Sequence, residues 1–308
     1  MMFRKGMTIY MENRFGSMHY NAIGPYLQKQ FGCRVAKLAI DGGFTCPNRD
    51  GTKGVGGCIY CSADGGGHFA SNIPDQMKLL SGKWSDSKYI AYFQSYSNTY
   101  APVDALRQKY EEALAFPHVV GIAIATRPDC LPPEVMELLS ELNQKTYLWV
   151  ELGLQSINDA TALRINRGYP LTVFDDAMDK LARSGIRTVV HLIFGLPKES
   201  HLDMMESVRY VADRKPFGVK FHQLYFLEGT GIVQKYPECL PGMEMGEYIG
   251  LVADSMEILP QEITVHRIAG DPPAKGLIAP LWSLDKRSVL NAIQMEFKRR
   301  GSFQGSRL

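Results

Sequence analysis

From residue 35 onward the chain alternates short apolar runs with amphipathic stretches, and this alternation constrains the fold more than any other feature. Val35–Ile40, Tyr89–Gln94, Val119–Ala125, Tyr147–Leu154, Thr188–Leu196 and Val219–Tyr225 read as six strands. Gln76–Leu80, Val103–Leu114, Pro132–Leu142 and His201–Arg214 read as helices between and after them, with Pro132 near a first turn, where its missing N–H costs nothing. Thr172-Val173-Phe174-Asp175 resembles a capping box; Phe174, Ala177, Met178 and Leu181 follow at helical spacing, and Gly185 stops the run. Strands alternating with helices imply βαβ units and a parallel sheet. An open doubly wound sheet and a six-stranded partial barrel both satisfy the pattern, and both bind ligands at the carboxyl ends of their strands. From about Glu228 the alternation is lost, and the last 80 residues read as an appendage.

The composition is that of a globular protein: 308 residues, 45% hydrophobic and 21% charged, enough to bury a substantial core. A net charge of +2 does not by itself imply a polyanionic partner. No apolar stretch approaches the roughly 18 residues of a membrane span. The start, Met1-Met2-Phe3-Arg4-Lys5-Gly6-Met7, is basic but lacks the apolar core of a signal peptide, so a soluble cytoplasmic protein is the simplest expectation. The six cysteines do not suggest a disulfide framework in so long a chain.

Three of those cysteines fall within sixteen residues, in a Gly-rich loop that leaves the first strand: Cys46, Cys58 and Cys61. Thiolates are soft ligands that suit zinc or iron–sulfur clusters. The two-residue gap lets Cys58 and Cys61 converge, and glycines at 51, 54, 56 and 57 let the loop curl. Three cysteines would leave one iron of a [4Fe–4S] cluster open for chemistry. With His68 they would instead make a closed structural Cys3His zinc site. Spacing leaves both readings open. Cys33, Cys130 and Cys239 are too dispersed to argue for a second site.

The chain resembles radical S-adenosylmethionine (SAM) proteins of the YtqA/YhcC type, a branch close to the catalytic subunit of elongator. The carriers are Asp41-Gly42-Gly43-Phe44-Thr45-Cys46-Pro47-Asn48-Arg49-Asp50-Gly51, Cys58-Ile59-Tyr60-Cys61 and Phe93-Gln94-Ser95-Tyr96-Ser97-Asn98-Thr99. Further along come Ala125-Thr126-Arg127-Pro128-Asp129, Glu151-Leu152-Gly153-Leu154-Gln155-Ser156, Gly195-Leu196-Pro197 and Arg267-Ile268-Ala269-Gly270-Asp271. The eleven residues between Cys46 and Cys58, where most radical SAM proteins have three, fit this subfamily.

The resemblance implies an α/β fold: a six-fold βα partial barrel of residues 34–227, with an N-terminal arm (1–33) and a C-terminal extension (228–308) that completes the core. It implies two cofactors, a [4Fe–4S] cluster on Cys46, Cys58 and Cys61, and SAM, which chelates the open iron. One electron from an external donor then cleaves the sulfonium, and the 5′-deoxyadenosyl radical abstracts hydrogen from substrate. On the fourth strand Glu151, Gly153 and Gln155 share one face; an inward Glu151 and Gln155 beside a glycine leave room for a ligand, unless the face is an exposed polar edge, and the resemblance places Gln155 at SAM. Tyr60 is expected beside the adenine, Arg167 at the SAM carboxylate and His191 at the ribose. Gln94 or Asn98 would replace the absent Gly-Gly-Glu segment. Lys220 and His222 share a face of the sixth strand and are substrate-side candidates.

For the substrate, the resemblance points to tRNA. The expected chemistry converts the 5-carboxymethylaminomethyl side chain of the wobble uridine toward 5-aminomethyl. It would begin at the methylene between nitrogen and carboxylate, with oxidation to an imine and hydrolysis following. No membrane partner is expected, nor the acyl transfer of elongator. Between Lys275 and Leu308 seven lysines and arginines face two acids, a net +5 that suits RNA phosphates or merely a solvated helix end. In the first case neutralising Arg299 and Arg300 should weaken tRNA binding. The remaining alternatives are radical SAM chemistry on a small metabolite, as in coproporphyrinogen decarboxylation, and a zinc-stabilised nucleic-acid-binding module.

Overall fold

The computed structural model describes residues 12–81 and 87–308; the basic start Met1–Met7 lies outside them. The strands are β1 (Val35–Ile40), β2 (Lys88–Phe93), β3 (Val119–Thr126), β4 (Tyr147–Gln155), β5 (Arg187–Phe194), β6 (Gly218–Gln223), β7 (Phe226–Leu227), β8 (Thr264–Arg267) and β9 (Leu277–Ala279). β1 to β6 lie side by side in chain order, β8 follows β6, and every neighbouring pair is parallel. β7 and β9 form a separate antiparallel pair. The helices are α1 (Ile23–Phe31), α2 (Ile73–Ser81), α3 (Val103–Leu114), α4 (Pro133–Lys145), α5 (Asp159–Arg164), α6 (Leu171–Arg183), α7 (His201–Arg214), α8 (Gly231–Lys235), α9 (Met245–Glu257) and α10 (Lys286–Arg300).

The sheet curls into a partial barrel. Its two end strands are both packed by α1, and Ala22, just before that helix, bridges to Val265 of β8. The arm thus spans the opening between first and last strand. This is the α/β partial barrel expected from the sequence, with one difference. The stretch read as having lost the alternation supplies a seventh strand, β8, reached through α9. Thr264-Val265-His266-Arg267 is short and has a single apolar residue, so no apolar run announces it.

Alternate residues of each strand face opposite ways. The outward set, including Leu38, Phe93, Ile124, Val150, Leu192 and Phe221, packs under the helices as the main core. Burying each such side chain contributes about 1.5–3 kcal/mol. The inward set begins apolar: Ile90, Ala123, Trp149 and Val189 pack with Leu27 of α1 into the barrel floor.

One expected helix signal moves. α6 starts at Leu171 with Pro170 at its N-cap and no capping side chain, so Thr172 already lies inside the first turn and forms no box. The true capping box is on α7: Ser200 Oγ accepts from Asp203 N (3.3 Å), and Asp203 accepts from Ser200 N (2.7 Å). Among the described residues no helix is long and apolar enough to cross a membrane.

Candidate active site

The cysteine loop leaves the carboxyl end of β1 and returns alongside it, where Asp41 N donates to Ser71 O and Ser71 N to Ala39 O. Two residues of the recognised motif that are not nominated above hold its shape. Asn48, buried, donates to the carbonyl of Asn166 (2.6 Å) and points the same amide at Cys58 Sγ (3.8 Å). Asn166 answers by donating to Gly57 O (2.8 Å). Arg49 binds the carbonyls of Cys61 and Ser62 and stacks on Tyr96. Gly57, at φ +78°, leaves room for that arginine, since a Cβ there would lie 2.9 Å from its Nε.

Cys46, Cys58 and Cys61 all line one cavity of about 310 Å³ at the mouth of the barrel. Burial and the neighbouring thiols push Cys61 up to about 11, and burial raises Cys58 as well. Bare thiolates are therefore disfavoured without a cation. Cys33, Cys130 and Cys239 lie elsewhere. His68 lines the same cavity, but its Nδ1 pairs with Asp64. Among the described residues no three His, Cys, Asp or Glu side chains are grouped to hold a single metal ion. His68 is engaged by Asp64 at the edge of the cavity.

Above the apolar floor the inward side chains turn polar. The register sets Gly153 beside His191, His191 beside Lys220 and Lys220 beside Arg267. Glu151, 1% exposed, accepts from Trp149 Nε1 (2.9 Å), pairs with His191 Nε2 (2.8 Å) and forms an ion pair with Lys220. Lys220 also donates to Tyr92 (2.9 Å). Burial would raise the Glu151 pKa, but Lys220, His191 and Lys37 together hold it well below the usual carboxylate range. Burial lowers Lys220, with Glu151 opposing. Burial and Lys220 hold His191 down at about 4, so its ring is neutral.

The cavity brings together Tyr60, Gln94, Glu151, Gln155, His191 and His222 with the cysteines. Gln94 donates to Gly66 O (2.7 Å). Gln155, at φ +62°, folds back so that the end of its side chain lies against the carbonyls of Gly153 and Leu154. Three nominated residues do not line the cavity. Asn98 is buried and spends its amide on the carbonyls of Phe93 and Ala125. Lys220 lies behind Glu151.

Arg167 is the clearest correction. Its guanidinium is fully buried and donates to the carbonyls of Leu154, Ser156 and Tyr169 (2.6 to 3.0 Å), so it braces the end of β4 instead of meeting a carboxylate in the cavity. The arginine that does line the cavity is Arg127. It forks onto Asp129 with two 2.9 Å bonds and stacks on Tyr169, whose ring also carries Arg167. The Ala125-Thr126-Arg127-Pro128-Asp129 motif was the available signal for it.

The basic C-terminal stretch also changes meaning. Arg299 binds Glu296, Arg300 binds Glu296, Asp254 and Glu257, Arg307 binds Glu257, and Lys286 binds Asp271. Most of its charge is spent within the fold.

Comparison with known proteins decides the family. Residues 46–211 match the Radical SAM superfamily model, and residues 216–299 match the Radical_SAM C-terminal domain. This chain belongs to the radical SAM superfamily. It is 48% identical to the uncharacterized protein YtqA of Bacillus subtilis, covering 93% of this chain and 92% of that one. It is 29% identical to a tRNA uridine(34) acetyltransferase of Dehalococcoides mccartyi over 53% of this chain and 36% of that protein. Its fold matches the archaeal Methanocaldococcus infernus Elp3 at TM-score 0.67, with 19% identity over 88% of this chain and 64% of that one.

Radical SAM proteins use a [4Fe–4S] cluster and SAM, and these are the cofactors of this chain. The residues fit. Three thiols line one cavity, as a cluster held by cysteine thiolates requires. The cavity continues past them toward polar side chains at the strand ends.

Proposed function

We propose that this radical SAM enzyme acts in the cytoplasm on the C5 side chain of the tRNA wobble uridine, taking the 5-carboxymethylaminomethyl group toward 5-aminomethyl. One observation carries the reading: a single cavity joins the three cysteines to the polar tier of Glu151, His191 and His222. A polar substrate group entering there meets fixed hydrogen-bonding partners beside the cofactors. Half-chain likeness to a protein that acts on tRNA uridine 34 supports the choice of substrate.

In this reading Cys46, Cys58 and Cys61 hold the cluster. Tyr60, Gln94, Glu151, Gln155 and His191 face the space for SAM. When bound, the two groups supply one-electron cleavage and hydrogen abstraction, with the electron taken from an external donor. Asn48 and Arg49 keep the loop in shape. The Arg127–Tyr169–Arg167 stack walls one side against water. Glu151, held ionised, fixes Lys220 and His191, so both act as positioning residues.

Two experiments test this. Anaerobically purified protein is expected to be brown and to carry iron and sulfide, and Cys58→Ala to be colourless; a colourless wild-type zinc protein refutes the cluster assignment. Mass spectrometry of tRNA from a deletion strain should show 5-carboxymethylaminomethyluridine accumulating. Unchanged wobble nucleosides beside an intact iron–sulfur signature refute the tRNA reading and redirect the search to small metabolites.

A further inference from the structure

One side of the cavity, on β6, β8 and the turn after β6, carries polar groups left without partners. His222 Nε2, Gln223 Nε2 and Tyr225 Oη are buried with no hydrogen-bond partner, and all three residues line the cavity with Arg267. A buried polar group left unpaired keeps the full cost of its desolvation, so three together point to a ligand.

Their polarity says what kind. The Gln223 amide is oriented by Gly270, whose N–H donates to Oε1 (3.1 Å), which leaves the NH2 end as the orphan. Burial raises the Tyr225 pKa, so its hydroxyl keeps its proton and can donate. Gly270 also makes room for that hydroxyl: a Cβ there would lie 1.6 Å from it. One glycine of the Arg267-Ile268-Ala269-Gly270-Asp271 motif thus sets two of the donors. Arg267 pairs with Asp271 at only 3.8 Å, beyond hydrogen-bonding distance, while Lys286 holds the same carboxylate oxygen at 2.6 Å. The other acid of the cavity, Glu151, is engaged by Lys220 and His191. A guanidinium, an amide NH2 and a phenol line one cavity, none with an acceptor within hydrogen-bonding distance, and such a donor set recognises an oxyanion.

We propose that Gln223, Tyr225 and Arg267, with His222 beside them, form a carboxylate-binding subsite that selects substrate by the acid end of its side chain. The proposal rests on the wobble-uridine reading, in which the substrate carries that acid and the product does not. The carboxylate of SAM has the same chemistry, so the test separates the two sources.

The probes are anticodon stem–loops carrying 5-carboxymethylaminomethyluridine or its methyl ester at the wobble position. Binding to reconstituted holoenzyme is read by fluorescence polarisation, and SAM affinity by equilibrium dialysis. The wild type should prefer the acid to the ester by about tenfold or more, as a site with buried donors rejects an analogue that leaves them unpaired. Arg267→Gln should bring the preference below about threefold, Tyr225→Phe should weaken it, and Arg267→Lys should restore part of it, all with SAM affinity unchanged. Tyr225→Phe removes a single oxygen, so it reports on the subsite even where an Arg267 variant folds poorly. Retention of the full preference by both Arg267→Gln and Tyr225→Phe overturns the subsite, and so does a loss confined to SAM binding. A wild type indifferent to the ester also overturns the subsite, while the wobble-uridine reading stands or falls separately on the nucleosides of the deletion strain.

Discussion

The barrel interior has two tiers that differ in what they ask of the chain. In the floor, Leu27, Ile90, Ala123, Trp149 and Val189 pack with no ionised group among them. One strand-pleat higher, the same strands present Tyr92, Glu151, His191 and Lys220. The floor gains stability from every contact. The upper tier holds a buried ion pair and an imidazole, and a buried pair of this kind is often no better for stability than apolar side chains of the same shape. The polar tier is kept for what it positions, and the floor offsets its cost. Trp149 joins the two, with its ring in the floor and its Nε1 on Glu151.

That division can be broken most severely at Glu151. Glu151→Gln should destabilise the fold by about 3–5 kcal/mol, because it strands Lys220 among buried groups. The double variant Glu151→Gln, Lys220→Met should regain most of that stability in denaturant melts while staying inactive. Recovery of activity in the double variant would mean that the tier is structural. In the floor, Leu27→Ala should cost about 2–5 kcal/mol through the cavity it opens, with SAM affinity at low temperature unchanged.

A pH titration separates the tiers without mutation. Burial and nearby cations lower the pKa of His191 (to about 4), His222 and His266. The unfolded chain takes up protons on these rings below about pH 6.5, and the folded chain does not. Stability should therefore be full above pH 6.5 and fall as the pH drops toward 4. His191 alone should account for about 2 kcal/mol by pH 5. His222→Asn should shallow that slope, and an unchanged slope would show that the ring is not held neutral. The smallest effect is expected outside the barrel. Arg299→Gln should leave stability close to that of the wild type and leave tRNA binding and its salt dependence unchanged, since Glu296 already takes that charge. A marked loss of binding would restore the C-terminal helix as an RNA surface.

The sequence was most legible where one physical signal dominates. Apolar runs located β1 to β6 within a few residues, and thiol spacing singled out three cysteines that the fold brings to one cavity. Reading failed where a side chain's direction matters more than its type. Arg167 and Asn98 look like ligand-binding residues, yet both spend their donors on backbone carbonyls that only the folded strand ends bring near. Gln223, Tyr225 and Gly270 were equally invisible, because their meaning lies in which polar atoms stay unpaired. β8 escaped because four residues are too few to show a period.

The paired amides of Asn48 and Asn166 carry a further consequence. Each closes the other's loop across 118 residues of sequence, and Ile59 N adds a bond to Ile165 O. The thiol cradle thus cannot take its final shape on the ribosome until the fourth strand and the helix after it have emerged. Iron loading becomes a late event in the life of the chain, and a colour that appears only once most of the barrel is in place serves as a built-in signal of correct assembly.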